Sequence, residues 1–271
     1  MSIESSEALN KYSRQTVLDV RQWNATGLCS VRVTRPAGFK FLPGQFARIG
    51  LPQDEDSQEP TLWRAYSMVT HPDDDALEFF SVTVPNGLFS PKLAALQPGQ
   101  PLWIENKPFG FLTLDRFSCA SVLWLISTGT GLSAYLPMIR DARTLEQFQC
   151  VVLVHGVRTE AELAYRIEIE QIMNSINARK QGALVYLPVT SRQPWPGPGP
   201  GAGTPASRIT TALEDGTLEK VAKAQLKPES GRVMLCGNPE MVTEMRKMLT
   251  ERGFAAGRRG NLGTLAVENY W

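Results

Sequence analysis

Cysteine and histidine are scarce in this sequence of 271 residues. The four cysteines, at positions 29, 119, 150 and 236, form no C-x-x-C pair and have no spacing typical of zinc or iron–sulfur ligands. The two histidines, His71 and His155, are too few for a histidine-rich metal site. We therefore predict that no metal is bound and that the thiols are reduced, as is usual in a cytoplasmic protein.

Long apolar runs and excess charge are missing as well. The most apolar short segments, Val122–Ile126 and Val151–Val154, are too short to span a bilayer, and the polar residues 1–10 do not have the pattern of a secretory signal. The formal net charge of +1 gives no reason to expect a nucleic acid or an anionic membrane as partner. We therefore expect an ordinary globular protein, and its length favours two domains.

The first part of the chain has the pattern of a β-domain. Turn signals such as Pro43-Gly44 and Pro98-Gly99 separate short segments that are rich in β-branched and aromatic residues. The predicted strands are Val17–Val20, Cys29–Val33, Gln45–Ile49, Ala65–Val69, Leu77–Val84 and Pro101–Ile104. One helix is expected to begin at Ser90-Pro91, with Ser90 as its N-cap. Strands of this length and spacing predict a barrel or a sandwich.

From about residue 117 the pattern alternates between strands and helices. Continuous apolar runs, typical of parallel strands buried on both faces, predict strands at Val122–Ile126, Val151–Val154, Leu184–Thr190 and Val233–Cys236. We predict a helix over about Ser133–Thr144, and a second one that begins at a capping box in Thr159–Glu162. Asn238-Pro239 suits the N-cap and first position of a third helix. This alternation predicts a doubly wound parallel sheet.

Two segments of the β-domain suit a flavin nucleotide. Arg64-Ala65-Tyr66-Ser67 lies on a predicted strand, and Gly87-Leu88-Phe89-Ser90 leads into the predicted helix. An arginine and the free amides of a helix N-terminus together suit a pyrophosphate. A tyrosine can stack on a flavin ring while a neighbouring serine hydroxyl bonds a ring nitrogen. Taken alone, each segment is also compatible with an ordinary strand and an ordinary helix start.

The strand ends of the second half suit a dinucleotide. Thr128-Gly129-Thr130-Gly131 follows the first predicted parallel strand, where α/β sheets bind nucleotides, although Ala134 replaces the third glycine of a full G-x-G-x-x-G. Cys236-Gly237-Asn238-Pro239 follows the last one, and Cys236 is expected either to face a nicotinamide or to be a small buried residue.

Arginines take the place of a ribose-binding acid after these strands. Gly156-Val157-Arg158 stands where a carboxylate usually binds the ribose of NAD. Arginines and a hydroxyl, which suit a 2′-phosphate, follow the strands or lie in the loops beyond them, at Arg158, Ser191, Arg192 and Arg208. Each could be an ordinary surface residue, but the set favours NADPH over NADH. The Pro/Gly-rich stretch Gln193–Ala206 between them predicts a mobile linker.

Six segments, in this order along the chain, resemble those of ferredoxin–NADP⁺ reductases. They are Arg64–Ser67, Gly87–Ser90, Thr128–Gly131, Ser191-Arg192, Cys236–Pro239 and Glu268–Trp271. The resemblance begins at about Tyr12 and is closest to the bacterial ferredoxin/flavodoxin reductases, whose chains also finish on Tyr-Trp. It implies a two-domain fold, with an FAD-binding antiparallel β-barrel over residues 1–116 and an NADP-binding α/β domain with a doubly wound parallel sheet over residues 117–271.

The resemblance also implies roles for residues around the flavin. Arg64 would hold the pyrophosphate, Tyr66 would stack on the isoalloxazine, and Ser67 would bond flavin N5. Further FAD contacts are implied for Ala65, Phe80, Leu88, Phe89, Ser90 and Thr130. Tyr270 would cover the opposite face of the ring, and Trp271 would approach the adenine of FAD.

A second set of implied roles concerns NADP and catalysis. The implied NADP contacts are Val157, Arg158, Ser191, Arg192, Arg208, Cys236, Gly237, Asn238, Pro239 and Glu240. The implied catalytic residues are Ser67, Cys236, Glu268 and Tyr270. Cys236 would stand near the nicotinamide, and Glu268 would relay a proton towards Ser67.

The implied activity is hydride transfer between NADP(H) and FAD, coupled to single-electron exchange with ferredoxin or flavodoxin. The carrier would be a separate molecule, since the chain has no cluster-binding cysteines. Positive residues that could steer an acidic carrier are Arg246, Lys247, Arg252, Arg258 and Arg259, although a solvated helix face explains them equally well. We expect a monomeric cytoplasmic enzyme. Three alternatives stay open: the reductase component of an oxygenase system, a free-flavin reductase, and a nucleotide-sensing protein that kept the fold without catalysis.

Overall fold

The chain folds into two units, which divide between Gly110 and Phe111 in the computed structural model. The structure describes residues 11–54, 57, 59–180, 182–197, 201–258 and 261–269. The sequence places the domain boundary a few residues later, between residues 116 and 117, and that position stays a prediction.

The first unit is an antiparallel six-stranded sheet in the order β4-β3-β6-β1-β2-β5. Its strands are β1 (Tyr12–Gln22), β2 (Leu28–Thr34), β3 (Phe46–Leu51), β4 (Leu62–Ser67), β5 (Ala76–Val82) and β6 (Pro101–Glu105), and one helix, α1 (Ser90–Ala95), precedes β6. Residues 12–16 of β1 pair with β6 and residues 17–22 with β2, with a register shift between Val17 and Asp19. Such a bulge bends a long strand, so that β1 belongs to both halves of the sheet.

The sheet curls into a nearly closed barrel. Its two edge strands approach each other just after β4, where Met68 pairs with Phe79 and the Val69 N–H donates to the Glu78 carbonyl oxygen at 2.9 Å. Side chains of alternate residues fill the interior, as the two-residue period of a strand requires. Ile49, Phe79 and Ile104 are fully buried members of this core.

The second unit is a parallel five-stranded sheet in the order β11-β10-β7-β8-β9. Its strands are β7 (Ala120–Thr128), β8 (Phe148–Val157), β9 (Ala183–Thr190), β10 (Gly231–Gly237) and β11 (Leu265–Asn269). Its helices are α2 (Leu136–Arg140), α3 (Ala142–Gln147), α4 (Arg166–Arg179), α5 (Ile209–Glu214), α6 (Thr217–Ala222) and α7 (Pro239–Glu251). The predicted fold class is therefore confirmed.

Both faces of this sheet are covered. On one face, residues of α5, α6 and α7 pack against Trp124 and Ile126 of β7 and their neighbours in β8 and β10. The alternate residues Leu123 and Leu125 point to the other face and are equally buried. Helices α3 and α4 contact β8 and β9. Burial on both sides explains why these strands have continuous apolar runs.

Two of the predicted helices differ from the observed ones, one by a break and the other by its start. The helix expected over 133–144 is broken at Asp141, whose backbone leaves the helical region and whose carboxylate accepts the Arg143 N–H at 3.0 Å, so that a new helix, α3, begins there. The capping box at Thr159–Glu162 does not form, because the Glu162 carboxylate accepts the Arg158 N–H at 2.9 Å instead. Helix α4 begins only at Arg166.

Candidate functional site

The segment Arg64–Ser67 forms the last four residues of β4, where it pairs with β3. Arg64 and Ala65 are exposed, whereas Ser67 is buried. One guanidinium N–H of Arg64 donates to the Trp63 carbonyl oxygen at 2.8 Å. Since arginine carries several N–H donors, this exposed guanidinium has further donors for an anionic group.

Tyr66 is held by two contacts on the barrel. Its hydroxyl oxygen lies 3.1 Å from Ser81 Oγ, and its ring centroid lies 5.9 Å from that of Phe89. Burial raises the pKa of Tyr66 above its ordinary value, so the phenol is neutral at neutral pH. Its ring is therefore a neutral aromatic surface of fixed orientation, as stacking against a flat ligand requires. No local signal marks Ser81, because its contact with Tyr66 depends on strands that are distant along the chain.

The turn Gly87–Ser90 joins β5 to α1 and lies beside Tyr66 through Phe89. Ser90 Oγ accepts the Val84 N–H at 2.8 Å, and the Gly87 N–H donates to the Val84 carbonyl oxygen at 3.0 Å. Ser90 is the first residue of α1, and the N-cap position belongs to Phe89. The expected capping role of Ser90 is therefore wrong, because its hydroxyl stabilises the turn.

The other flavin-side candidates are spread over the chain. Phe80 is buried in β5, and Leu88 at the tip of the turn is 62% exposed. Thr130 belongs to the second unit, where its carbonyl oxygen accepts the Ser133 hydroxyl at 2.7 Å. Tyr270 and Trp271 lie outside the residues that the structure describes.

In the second unit, the turns that follow β7 and β10 interlock. A Cβ atom on Gly131 would lie 2.6 Å from the Cys236 carbonyl oxygen, and one on Gly237 would lie 2.3 Å from Thr128 Oγ1. Both positions therefore require glycine, and Gly237 also has a φ of 132°. The Asn238 N–H donates to Thr128 Oγ1 at 2.8 Å. Because the chain leaves β7 in one direction towards β8 and reaches β10 on its other side, this is the switch point where such sheets bind ligands.

Cys236 and Glu268 are brought together at this edge of the sheet. They are register partners in the parallel pair β10–β11, and Cys236 also pairs with Ser127 of β7. Cys236 is fully buried and Glu268 is partly buried. Both are close enough to the buried Tyr135 to reinforce the rise in its pKa that desolvation causes.

The residues that follow β10 begin α7 as predicted. Asn238 Oδ1 accepts the N–H groups of Glu240 and Met241 at 2.9 and 3.1 Å, which confirms its role as N-cap. Pro239 occupies the first turn, where its missing N–H costs little. The segment Gly237–Glu240 therefore has a fixed backbone at the switch point.

The four residues that suit a 2′-phosphate lie together at the carboxyl ends of β8 and β9. We call them the arginine set, and they are Arg158, Ser191, Arg192 and Arg208. Beyond the strands, the Ser191 N–H donates to the Val157 carbonyl oxygen and the Arg192 N–H to that of Arg158, both at 2.9 Å. The chain then returns, since the Ser207 N–H donates to the Thr190 carbonyl oxygen at 3.0 Å, and the next residue precedes α5. The exposed residues that share this edge are Arg158, Ser191, Arg192 and Arg208.

Arg158 is held by the carboxylate of Glu162, for which the sequence predicts a role in a helix cap. Glu162 accepts from both the backbone N–H and the guanidinium of Arg158. The four-residue spacing between the two was a visible signal, because oppositely charged residues at that spacing often pair. Glu162 therefore orients the Arg158 side chain, half of which is exposed.

The described residues form neither a cluster of metal ligands nor a membrane-spanning helix. Within the described part of the chain, no three histidine, cysteine, aspartate or glutamate side chains are grouped to hold a metal ion. Among the same residues, no helix has the length and apolar character that crossing a bilayer demands.

Comparisons with known proteins agree with this geometry. Residues 125–247 match a family model described as an oxidoreductase NAD-binding domain. The chain is 36% identical over 256 residues to the flavodoxin/ferredoxin–NADP reductase of Escherichia coli, a match that covers 94% of this chain and 97% of the other. It is 35% identical over 264 residues to the ferredoxin–NADP reductase of Pseudomonas aeruginosa, covering 96% and 97%.

A solved structure is similar over the same extent. The crystal structure of a ferredoxin NADP⁺ reductase from Neisseria gonorrhoeae, with bound FAD and NADP, superposes with a TM-score of 0.85 at 28% sequence identity. The match covers 97% of this chain and 100% of that one.

Proposed function

The chain belongs to the flavodoxin/ferredoxin–NADP reductase family, and from that premise we propose that it is an FAD-dependent reductase that exchanges hydride with NADP(H) and single electrons with a ferredoxin or a flavodoxin. When bound, FAD supplies the conversion between a two-electron hydride and single electrons. The observation that carries the proposal is the pair of built sites, one along β4 of the barrel and the other at the switch point of the parallel sheet.

The barrel residues fit FAD. Arg64 offers exposed guanidinium donors for a pyrophosphate, and Tyr66 offers a neutral ring that Ser81 and Phe89 hold in place. Ser67, next to Tyr66 on β4, is assigned the hydrogen bond to flavin N5. The assigned FAD contacts are Arg64, Ala65, Tyr66, Ser67, Phe80, Leu88, Phe89, Ser90, Thr130, Tyr270 and Trp271.

The second unit fits NADP(H). Gly131 and Gly237 let the turns after β7 and β10 pack directly against each other, and this pair of turns forms the switch point at which such sheets bind dinucleotides. The arginine set at the ends of β8 and β9 suits a 2′-phosphate, which takes bidentate charged donors. The assigned NADP contacts are Val157, Arg158, Ser191, Arg192, Arg208, Cys236, Gly237, Asn238, Pro239 and Glu240.

The protein's own part in the reaction is orientation and proton handling. Cys236 is assigned the place beside the nicotinamide, where a small buried side chain excludes water and leaves room for the ring. Ser67 on the barrel and Glu268 on β11 are assigned to proton transfer, and Tyr270 to the exposed face of the flavin. We further propose that the enzyme works as a monomer in the cytoplasm.

The visible spectrum is the direct test. We expect the purified protein to show flavin absorption bands that bleach promptly on anaerobic addition of NADPH and slowly with NADH. Absence of these bands after incubation with FAD would refute the proposal and favour a nucleotide-sensing protein. Loss of FAD during purification would favour a free-flavin reductase, and reduction of an oxygenase but not of ferredoxin or flavodoxin would favour the oxygenase component.

A second prediction concerns the electron carrier. Arg246 and Lys247 are exposed on α7, and Arg258 is exposed beyond it. Arg252 forms an ion pair with Glu219 at 3.0 Å, which offsets its charge, and Arg259 lies outside the residues that the structure describes. Changing Arg246 and Lys247 to glutamate is expected to raise the KM for an acidic carrier by about tenfold at low salt, because rim charges steer association. Added salt should shrink the difference.

The matched control makes the same charge change elsewhere. Lys220 and Lys223 are exposed near α6 and can both be changed to glutamate. The KM for the carrier should then stay near that of the unchanged protein, and activity with a small neutral acceptor should stay constant in both variants. An equal rise in KM in the two variants would show an effect of net charge alone and remove the docking assignment.

A further inference from the structure

Trp195 is fully buried, although it lies in the proline- and glycine-rich loop that follows β9. Its ring packs with Val157 and Leu163 in a small cluster, and the Arg166 guanidinium lies over it, 5.6 Å from the ring centroid. Burial of a whole indole removes a large apolar area from water. The loop is therefore anchored at Trp195, which differs from the mobile linker that its composition predicts.

The two limbs of the loop are tied together at the same residue. The Trp195 N–H donates to the Thr204 carbonyl oxygen at 3.1 Å, and the Gly203 N–H donates to the Trp195 carbonyl oxygen at 3.0 Å. Gly197 is pressed so closely on the indole that a Cβ atom there would lie 2.1 Å from a ring carbon. The ring is therefore enclosed by its own loop as well as by the cluster.

The ring stands between the two connections that carry the arginine set. Val157 and Leu163 lie immediately outside Arg158 and Glu162, the ion pair in the connection between β8 and α4. On the other side, the loop leaves β9 through Arg192 and returns to Thr190 through Ser207, next to Arg208. Movement of the ring would therefore disturb both connections together.

We infer that Trp195 is a positioning residue for the 2′-phosphate of NADP(H): its buried ring fixes the loop after β9 against the connection after β8, so that Arg158, Arg192 and Arg208 keep one spacing. The inference rests on the proposed function and extends it to a residue outside the phosphate contacts. Without the ring, the loop and its arginines must be ordered when the nucleotide binds, and that ordering weakens binding.

The experiment compares two nucleotides that differ only in the 2′-phosphate. Binding of 2′,5′-ADP and of 5′-ADP to the FAD-loaded protein is measured by calorimetry for the unchanged chain, Trp195→Ala and Trp195→Phe. We expect Trp195→Ala to weaken 2′,5′-ADP by about tenfold and 5′-ADP by less than about twofold. Trp195→Phe, which keeps an aromatic ring in the cluster, should retain most of the affinity.

Steady-state kinetics provides the second measurement. The KM for NADPH should rise in Trp195→Ala by a similar factor while kcat at saturating NADPH stays unchanged, because the reacting atoms are not touched. Gln193→Ala serves as the matched control in the same loop. It removes a partly buried side chain but keeps the backbone carbonyl oxygen that accepts the Thr190 hydroxyl at 2.7 Å, so both constants should stay unchanged.

The outcomes distinguish failure of the proposed NADP(H) preference from failure of the positioning role of Trp195. An unchanged chain with equal affinity for the two nucleotides would refute the proposed preference for NADP(H). A clear preference that survives in Trp195→Ala, or an equal loss for both nucleotides, overturns only the role of Trp195. If Trp195→Ala does not fold, Gly197→Ala decides in its place: we expect the same selective loss, and a folded variant with unchanged preference overturns the inference.

Discussion

Replacing Arg192 with alanine is expected to raise the KM for NADPH by about 10- to 100-fold and to leave the KM for NADH within about twofold of its original value. Arg192 is exposed, and its N–H is bonded to the Arg158 carbonyl oxygen at 2.9 Å, so its backbone position is fixed by the sheet edge. Its exposed side chain is not part of the buried core, so its removal should not destabilise the fold. The loss should therefore fall on the 2′-phosphate, which NADH lacks.

Two further variants make the test sharper. Arg192→Lys keeps the positive charge but loses the forked pair of N–H donors. Its KM for NADPH should therefore lie between that of the unchanged protein and that of the Arg192→Ala variant. Arg179→Ala removes an exposed arginine at the end of α4, just before β9 begins and hence at the opposite edge of the sheet, and should change neither constant. Equal losses for NADPH and NADH in Arg192→Ala would remove the 2′-phosphate assignment.

The strands of both units, β11 excepted, could be predicted because each carries a local signal. The alternation of the barrel strands and the continuous apolar runs of β7 to β10 follow from burial on one face or on two. Boundaries were less accurate where pairing is distant. The sequence predicts a strand over Ala65–Val69, but β4 is Leu62–Ser67, because Leu62–Arg64 pair with β3 and Met68 turns to pair with Phe79.

Several elements had no local signal. Helices α5 and α6 have six residues each, too few for a helical period to show, and they follow a loop of unusual composition. Strand β11 is short and is fixed by its register with β10. The break at Asp141 depends on a carboxylate that caps a new helix, and aspartate in mid-pattern permits either outcome.

In the candidate site, too, some residues have a local signal in the sequence and others do not. The turns and arginines could be predicted because the carboxyl ends of parallel strands meet at one edge, so their position along the chain implies their position in space. Ser81 and Trp195 could not, because each acts through a partner chosen by tertiary structure, Tyr66 and the cluster at Val157. The pairing of Glu162 with Arg158 had only a local signal, the four-residue spacing. The residues that support the site are thus less visible in the sequence than those assigned to the ligands.

The second large effect is expected from pH, through His155. This residue is fully buried in β8, with its Nδ1 3.3 Å from the Tyr186 hydroxyl oxygen. Burial lowers the pKa of His155 to about 4, and the opposing effects of the Gly129 backbone and of Glu162 are smaller. In the unfolded chain the imidazole takes up its proton near its ordinary pKa of about 6.5. Between these two values, only the unfolded state binds the proton.

The sign of the effect follows from that difference. The folded state has its full stability above about pH 6.5, loses stability as the pH falls towards 4, and loses no more below it. At pH 4.5 the loss from this group should be about 2–3 kcal/mol in the free energy of unfolding relative to pH 7.5. His155→Gln, which cannot take up the proton, should lose that much less over the same interval in urea denaturation followed by circular dichroism.

Proton NMR tests the cause directly, because the chain has two histidines. In a His71→Asn variant, the remaining imidazole resonances belong to His155 and should not shift between pH 8 and pH 5.5, since the folded protein keeps that ring neutral. The same variant should keep the acid dependence of stability, because His155 is still present. A resonance that titrates near pH 6.5 in the folded protein would show that burial does not exclude the proton, and the predicted loss of stability in acid would then need another group.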